Sequence, residues 1–448
     1  MVKHLLKQMI NMKKKVDKIQ ILGVAFGMVL LILLASIFLT QKEENNLEIY
    51  HWWTSPSEHA AITALINSFA EKYPEIIILP TSVISKSSGG GGVLMFNVVK
   101  PKVFNKEGPE SFLIHAGYEG KTYFEANLLE TVDKIWEEKE LEKYIPKIIQ
   151  EMCKFKGNYY SIPIGIHRTN VVWYNKKILE QNNITERDLH NWDDFFNACE
   201  KIRNNGIKYP IQMGTTWTAQ HVFDQIIASQ GINFYEEWIN GEIVSEKDPR
   251  LLNSFEIFKK YLSYVNPDNE NIEWNTAVQR IIRGEGAFNI MGDWANGEFI
   301  SLGFKFDEDY GAFLVPSTEN MYGIVIDAFQ QPKYTKNKTN AENWLKFVSS
   351  KEGQDIFNPL KGSVSVRIDA EVNKYNLYSQ LALLNLLTSD YLFPAVSNGA
   401  PRGFEVEEQR IIGEFIKSLN KEKATEEIVN YILNTKEEYS IKWELDED

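Results

Sequence analysis

LEIYHWWTSPSEHAAITALINSFAEKY, running from Leu47 to Tyr73, joins a strand to a helix across a pair of tryptophans. Leu47 to His51 is strand-like and is closed by Trp52 and Trp53. Ser55, Pro56 and Glu58 then supply an N-cap, a first-turn proline and a capping-box acid. Ile62, Leu65, Ile66, Phe69 and Tyr73 come next at helical spacing. A strand, a turn and an amphipathic helix form the repeating unit of an α/β fold.

The same alternation continues outward. Strands are expected at Glu75–Leu79, Ser111–His115, Tyr159–Gly165, Val171–Tyr174 and Tyr209–Met213, and a helix at Trp192–Ile202. Ser87–Gly92 is a glycine-rich loop. The C-terminal third turns helical, with Ala341–Phe357, Tyr378–Leu387 and Glu405–Leu419 carrying apolar residues at intervals of three and four. No internal repeat is present. A chain of 448 residues exceeds one ordinary core, so two compact units are expected.

The first forty residues belong to neither unit. Ile21 to Leu39 is an uncharged run of 19 residues, which at about 1.5 Å per helical residue matches the roughly 30 Å hydrocarbon core of a bilayer. Six lysines precede it, in a basic segment over 1–18, which leaves the N-terminus in the cytoplasm and exports the chain beyond Thr40. Residues 19–40 are read as an uncleaved anchor. A cleaved signal peptide, giving a periplasmic protein, is the competing reading, although Ala35-Ser36-Ile37-Phe38 is a poor small-x-small site. Gln41–Asn46 serves as a spacer. The chain carries a net charge of −13 despite its basic leader, so the exported part repels phosphate backbones, and no nucleic-acid partner is expected. Cys153 and Cys199 are the only cysteines; export permits a disulfide, and spacing does not decide whether they meet.

The second informative stretch is WNTAVQRIIRGEGAFNIMGDWAN, Trp274 to Asn296, with one tryptophan at the start of a helix and another, Trp294, in a Gly-Asp-Trp turn after an apolar strand. Sugars present C–H groups on one face and hydroxyls around the rim, so flat aromatics beside charged hydrogen-bonding groups suit both surfaces. In open α/β sheets ligands gather beyond the carboxyl ends of strands, where both tryptophan turns fall. Most tryptophans are core residues, and these four stand out by position. Glu58 can be a cap or a contact, and Asp293 can likewise cap the helix after it. Lys361 lies in NPLKGS, where a lysine is ordinarily solvated. Asp327, embedded in the apolar run IVIDAF, must find donors, either from a ligand or from neighbouring backbone. His51, His115 and His167 form no HxxxH or HxH pair, so no metal is expected. The glycines at 89–92 lack the GK[ST] of a phosphate loop, no GxSxG elbow occurs, and no cofactor is expected. Glycoside hydrolysis stays open, since Glu58, Asp293 and Asp327 could supply its two carboxylates.

EIYHWW with its helix, FLIHAG, SIPIGIHRTNVVWYNKK, NWDDFF, GTTWTAQH, the Trp274–Asn296 segment and SSKEGQDIFNPLKGS occur in an ordered succession over roughly residues 47 to 380. In that order the chain resembles the extracellular solute-binding proteins, family 1, of ABC sugar importers, most closely their glucose/mannose-binding branch. The resemblance implies a two-lobed type II periplasmic-binding-protein fold with a ligand cleft between α/β lobes and no catalysis. The lobes so implied are 47–160 with about 325–360, and 161–324 with 361–448. It also implies sugar contacts from Trp52, Trp53, Glu58 and His115, and from Trp274, Trp294, Asp327 and Lys361, with His167 in IHRTN, Asp293 and Asn398 completing the candidate set. Implied partners are a sugar, taken as a glucose- or mannose-like monosaccharide, and the permease of an importer; the apolar run Ile21–Leu39 adds the membrane as a partner. A tethered sugar sensor is a further alternative. Two departures bear on specificity: Leu113 stands where relatives have glutamine, and Asn398 where they have histidine. The anchor departs too, because Gram-positive relatives usually carry a lipid-modified cysteine and Gram-negative ones are released.

Overall fold

The computed structural model describes residues 45–83 and 91–443. The expected anchor at Ile21–Leu39, most of the glycine-rich loop and the acidic terminus lie outside the described residues. Among the described residues no helix is long and apolar enough to cross a membrane.

The opening unit forms as its sequence dictates. Strand β1, Asn46–His51, leads into helix α1, Pro56–Lys72, whose Ala61, Ile62, Leu65 and Phe69 are buried at helical spacing. Strands β2 (Ile77–Ser82) and β3 (Ser111–His115) flank β1 in parallel. Strand β4, Ser161–Arg168, is buried along its full length, and β5, Val171–Asn175, starts a second sheet. Helix α2, Thr216–Ala228, and helix α3, Trp274–Ile282, precede strand β6, Phe288–Ile290. Helix α4, Trp294–Ser301, and strand β7, Tyr310–Leu314, lead to β8, Met321–Gln330. Helix α5, Lys351–Lys361, strand β9, Tyr391–Pro394, and helix α6, Arg402–Ser418, complete the elements that build the site.

Two sheets result. The larger has the order β9-β8-β3-β1-β2, with β4 along the other edge of β8, and the smaller is antiparallel in the order β6-β5-β7. Two apolar clusters enclose them, and the smaller sheet lies between the two, with Val171, Trp173 and Tyr310 in the first and Val172, Tyr174, Phe288 and Ile290 in the second. The first gathers Leu47, Phe69, Phe112, Ile164, Trp344 and Phe357; the second gathers Phe195, Phe223, Trp238, Phe255, Phe288 and Ile428. Strand β8 joins them, with Met321 in the second core and Tyr322 to Phe329 in the first. Its early residues pair with β9 and its later ones, Asp327 to Gln330, with β3. Val364, Val366, Tyr378 and Leu386 pack in the first core although they come after α5 in sequence.

Two expected elements take a different form. Tyr209–Met213 is not a strand: Ile211 makes only single bridges to Val265 and Phe288, and the Gln212 side chain turns back to the Tyr209 carbonyl at 3.0 Å. The helix expected over Ala341–Phe357 is two helices, because the Ser350 hydroxyl accepts the Gly353 amide at 3.0 Å and starts a new N-terminus after Lys338–Val348. Both cysteines are free and buried, Cys153 in the first core and Cys199 in the second, so they do not pair.

Candidate ligand-binding cleft

A cavity of about 210 Å³ opens between the two cores. Eight of the eleven sequence-derived candidates line it: Trp52, Glu58, His115, His167, Trp274, Trp294, Asp327 and Lys361. They arrive from β1, α1, β3, β4, α3, α4, β8 and α5, so that no single element builds the site.

Asp327 is the centre of the polar group. Antiparallel register sets it opposite His115 on β3 and Gly165 on β4, and the β8–β4 pairing slips by one residue immediately after it. Such an irregularity re-aims a side chain beside a site. Its carboxylate lies 3.8 Å from His115 Nε2 and 3.5 Å from His167 Nε2. Burial would raise its pKa, but His167, Lys361 and His115 together hold it below the ordinary value, so it stays an acceptor. The donors expected on sequence grounds are thus side chains, with a cavity beside them.

Glu58 turns out to cap and to face the cleft at once. One carboxylate oxygen accepts the Thr54 and Ser55 amides, each at 3.2 Å, and the other lies 3.1 Å from Lys361 Nζ. Lys361 is the last residue of α5 rather than a solvated loop lysine, and it is buried. Gly362 ends the helix at φ +89, where a Cβ would stand 2.4 Å from the Gly297 amide. Only glycine permits this approach of α5 to α4, and the approach carries Lys361 to Glu58.

The aromatic walls are equally specific. A Cβ on Gly292 would stand 2.2 Å from the Trp294 ring, so the glycine of the Gly-Asp-Trp turn is what lets that indole fold over the cleft. Rings of His167, His221 and Trp217 surround Trp294 at 5.3, 5.6 and 6.3 Å between centroids. Its Nε1 is buried without a partner. On the opposite wall Trp52 stacks obliquely on His115 at 4.8 Å.

Three candidates are not cleft walls. Trp53 is fully enclosed in the first core, 4.6 Å from Phe357 and 5.8 Å from Phe329, because successive residues leaving a strand point to opposite sides. Asp293 stands behind His167: it takes His167 Nδ1 at 2.5 Å and the Arg168 amide at 2.9 Å, and does not cap α4 with its side chain. Burial raises its pKa against the pull of His167. Asn398 is buried and donates to the Ala116 carbonyl at 2.6 Å, bracing the chain after β3, while its neighbour Ser397 faces the cavity. Leu113 is likewise a core residue.

Several lining residues escaped the sequence reading. Trp217, Gln220, His221 and Asp224 occupy one face of α2 at spacings of three and four, and Glu405 and Gln409 do so on α6. That polar stripe within an otherwise apolar helix was the available signal. Burial lowers the pKa of His221 to about 4, and its buried Nε2 has no hydrogen-bond partner. Glu273, the residue before α3, completes the rim.

The cleft brings buried carboxylates, Lys361 and the imidazoles of His115, His167 and His221 together with indole rings, groups suited to hydroxyls and to C–H faces. The comparisons agree with a binding role. Residues 56–355 match the family model of the bacterial extracellular solute-binding proteins, and the chain belongs to that family, whose members bind solutes and are not enzymes. It is 39% identical to an ABC transporter extracellular-binding protein of unassigned character from Pyrococcus horikoshii, over 87% of this chain and 88% of that one. A probable sugar-binding periplasmic protein of Brucella melitensis is 28% identical over 77% of this chain and 80% of its own. Among solved structures, a bacterial solute receptor with a preference for β-D-galactopyranose superposes with a TM-score of 0.76 at 15% identity, covering 87% of this chain and 99% of that one. That likeness extends to the two-lobed fold.

Proposed function

We propose that this protein is a sugar receptor of an ABC importer, closing its lobes over one neutral monosaccharide of glucose or mannose type and presenting the closed form to a permease. The observation that carries the reading is the Asp327 cluster: a buried acceptor with donors His115 and Lys361 near it, in a cavity that the Trp52 and Trp294 rings also line. The names of the Pyrococcus and Brucella relatives point the same way, to ABC transport and to sugar. The cavity of about 210 Å³ falls below the range of about 300–1,000 Å³ that holds drug-sized ligands, which favours one ring over an oligosaccharide. A micromolar constant, about −8 kcal/mol, asks roughly −0.7 kcal/mol of each of the ~12 heavy atoms of a hexose, inside the small-ligand limit.

The lobes are proposed to be 47–160 with about 325–360, and 161–324 with 361–448, with Ser161–Arg168 reassigned to the first because it pairs with β8 and buries Ile162, Ile164 and Ile166 there, and Val364 to Leu386 likewise because their side chains pack there. Strand β8 and the segments beside it carry the closure. Contacts made only in the closed form shift the population toward it, as linkage requires. Ile21–Leu39 is proposed to tether the receptor to the outer face of the cytoplasmic membrane.

Incubation with chromogenic glycosides, run beside equilibrium binding of the parent sugars, tests the reading. Stoichiometric binding without turnover is expected; turnover would overturn it in favour of a hydrolase. Co-purification with permease subunits separates transport from sensing, which would instead bring down a histidine kinase.

A further inference from the structure

We propose that Glu119 is a positioning residue for the ligand: clasped by Arg402 from helix α6, it fixes the orientation and the charge of His115 in the cleft. This rests on His115 being a ligand contact. Glu119 itself does not line the cavity; it sits in the short turn Tyr118–Gly120 after β3 and is 3% exposed. One of its oxygens accepts the His115 backbone amide at 2.5 Å and lies 3.1 Å from His115 Nδ1. The other faces Arg402 Nη1 at 3.5 Å. The same Nη1 donates at 2.5 Å to Glu405, which lines the cleft from α6. A single guanidinium therefore holds two carboxylates, one reaching into the cleft through His115 and one forming its wall.

Packing alone does not account for this arginine. Its Nε and Nη2 are buried without hydrogen-bond partners, a cost that an apolar side chain would avoid. The groups facing His115 are Glu119 from its own turn, Asp327 from β8, Glu405 from α6 and the Trp52 ring, with Arg402 of α6 against Glu119 and Glu405. Burial pulls the imidazole down, but Glu119, Asp327 and Glu405 overcome it and its pKa rises. Glu119 is held below the ordinary carboxylate value, against its own burial, by His115 and Arg402. Glu119 stands 3.1 Å from Nδ1 as an ion-pair partner, outside hydrogen-bonding geometry, so it acts on the imidazole through its charge while Nε2 faces Asp327 and the cleft, where a ligand oxygen meets a donor whose charged form Glu119 favours.

Ring-labelled histidine NMR on the full-length protein without ligand reads the first half of this directly. In the wild type His115 is expected to titrate above histidine's ordinary 6.5. In Glu119→Gln its midpoint moves to lower pH, in Arg402→Met, which leaves the Glu119 carboxylate to the imidazole alone, it moves to higher pH, and Arg402→Lys retains most of the wild-type value. An identical midpoint in the wild type and Glu119→Gln would overturn the proposal, and the Arg402 pair supplies the same comparison should Glu119→Gln not fold. Calorimetry with the best-bound sugar reads the second half. Affinity falls about tenfold at neutral pH in Glu119→Gln, the size of one charge-assisted hydrogen bond, and the pH at which binding is half lost moves down. A weakened Kd with an unmoved pH profile would mark Glu119 as merely structural. The NMR titration needs no ligand, so a failure of the sugar reading is distinguishable from a failure here.

Discussion

Two sets of carboxylates are buried within one wall of each other and end in opposite states. Around Asp327 the partners are cations and donors, His115, His167 and Lys361, and the carboxylate stays ionised. On the facing side of α2 and α6, Asp224 and Glu408 have each other and the Gln220 amide, which gives Glu408 one bond of 2.8 Å. Burial pushes both upward, and the charge of Asp224 pushes Glu408 further, so the pair keeps a proton at neutral pH. Burial is common to the two sets; only the partners differ. The first set is an acceptor held ready for hydroxyls, and the second is a stitch between helices that carry the cleft wall.

The sharpest way to break this contrast is to remove the ionised acceptor. Asp327→Ala is expected to lose about a hundredfold in sugar affinity, near 2.7 kcal/mol, by calorimetry on protein whose far-UV dichroism is unchanged. Wild-type affinity would take Asp327 out of ligand recognition. Trp294→Ala is expected to lose about tenfold or more through its ring platform, again without unfolding, and an unchanged Kd in a folded variant would remove Trp294 from the site.

Asp224→Asn sharpens the other side of the contrast. Both acids of the pair have folded pKa values raised above their unfolded ones, so the native state binds the extra proton. The stability this contributes is full below the unfolded values and declines as pH rises through the folded ones. The neutral amide should flatten that decline and stabilise the protein by about 1 kcal/mol in mildly alkaline urea titrations. An equally steep pH dependence in the variant would place the proton elsewhere. The smallest effect is expected of the thiols: Cys153 and Cys199 lie in separate cores, so a reductant should leave Tm unchanged. A reductant-sensitive Tm would contradict that separation.

Much of the site was legible because its residues sit where local rules place them. Ser55, Pro56 and Glu58 announce a helix start, and the same carboxylate proves to serve cap and cleft with its two oxygens. Trp294 comes two residues after a glycine whose missing Cβ frees the ring. The residues that escaped depend on which way a side chain points or on partners far away in sequence. Trp52 and Trp53 are adjacent, yet one lines the cavity and the other fills a core. Asp293 and Asn398 each miss the cavity by one residue, next to Trp294 and Ser397. Glu119 carries no motif at all; its role rests on Arg402, brought to it by the fold from the start of α6. The break between α-helices at Ser350 was hidden because one serine hydroxyl outweighed an unbroken apolar periodicity.

Whether the Asp327 cleft takes up a sugar one to one decides the receptor reading. Calorimetric titration of the full-length protein with glucose, galactose, mannose, xylose and several disaccharides measures that directly. One monosaccharide binding tightly at a stoichiometry of one, and lost in Asp327→Ala, is the predicted result. Silence across the panel from demonstrably folded protein, or equal binding by wild type and Asp327→Ala, would contradict it.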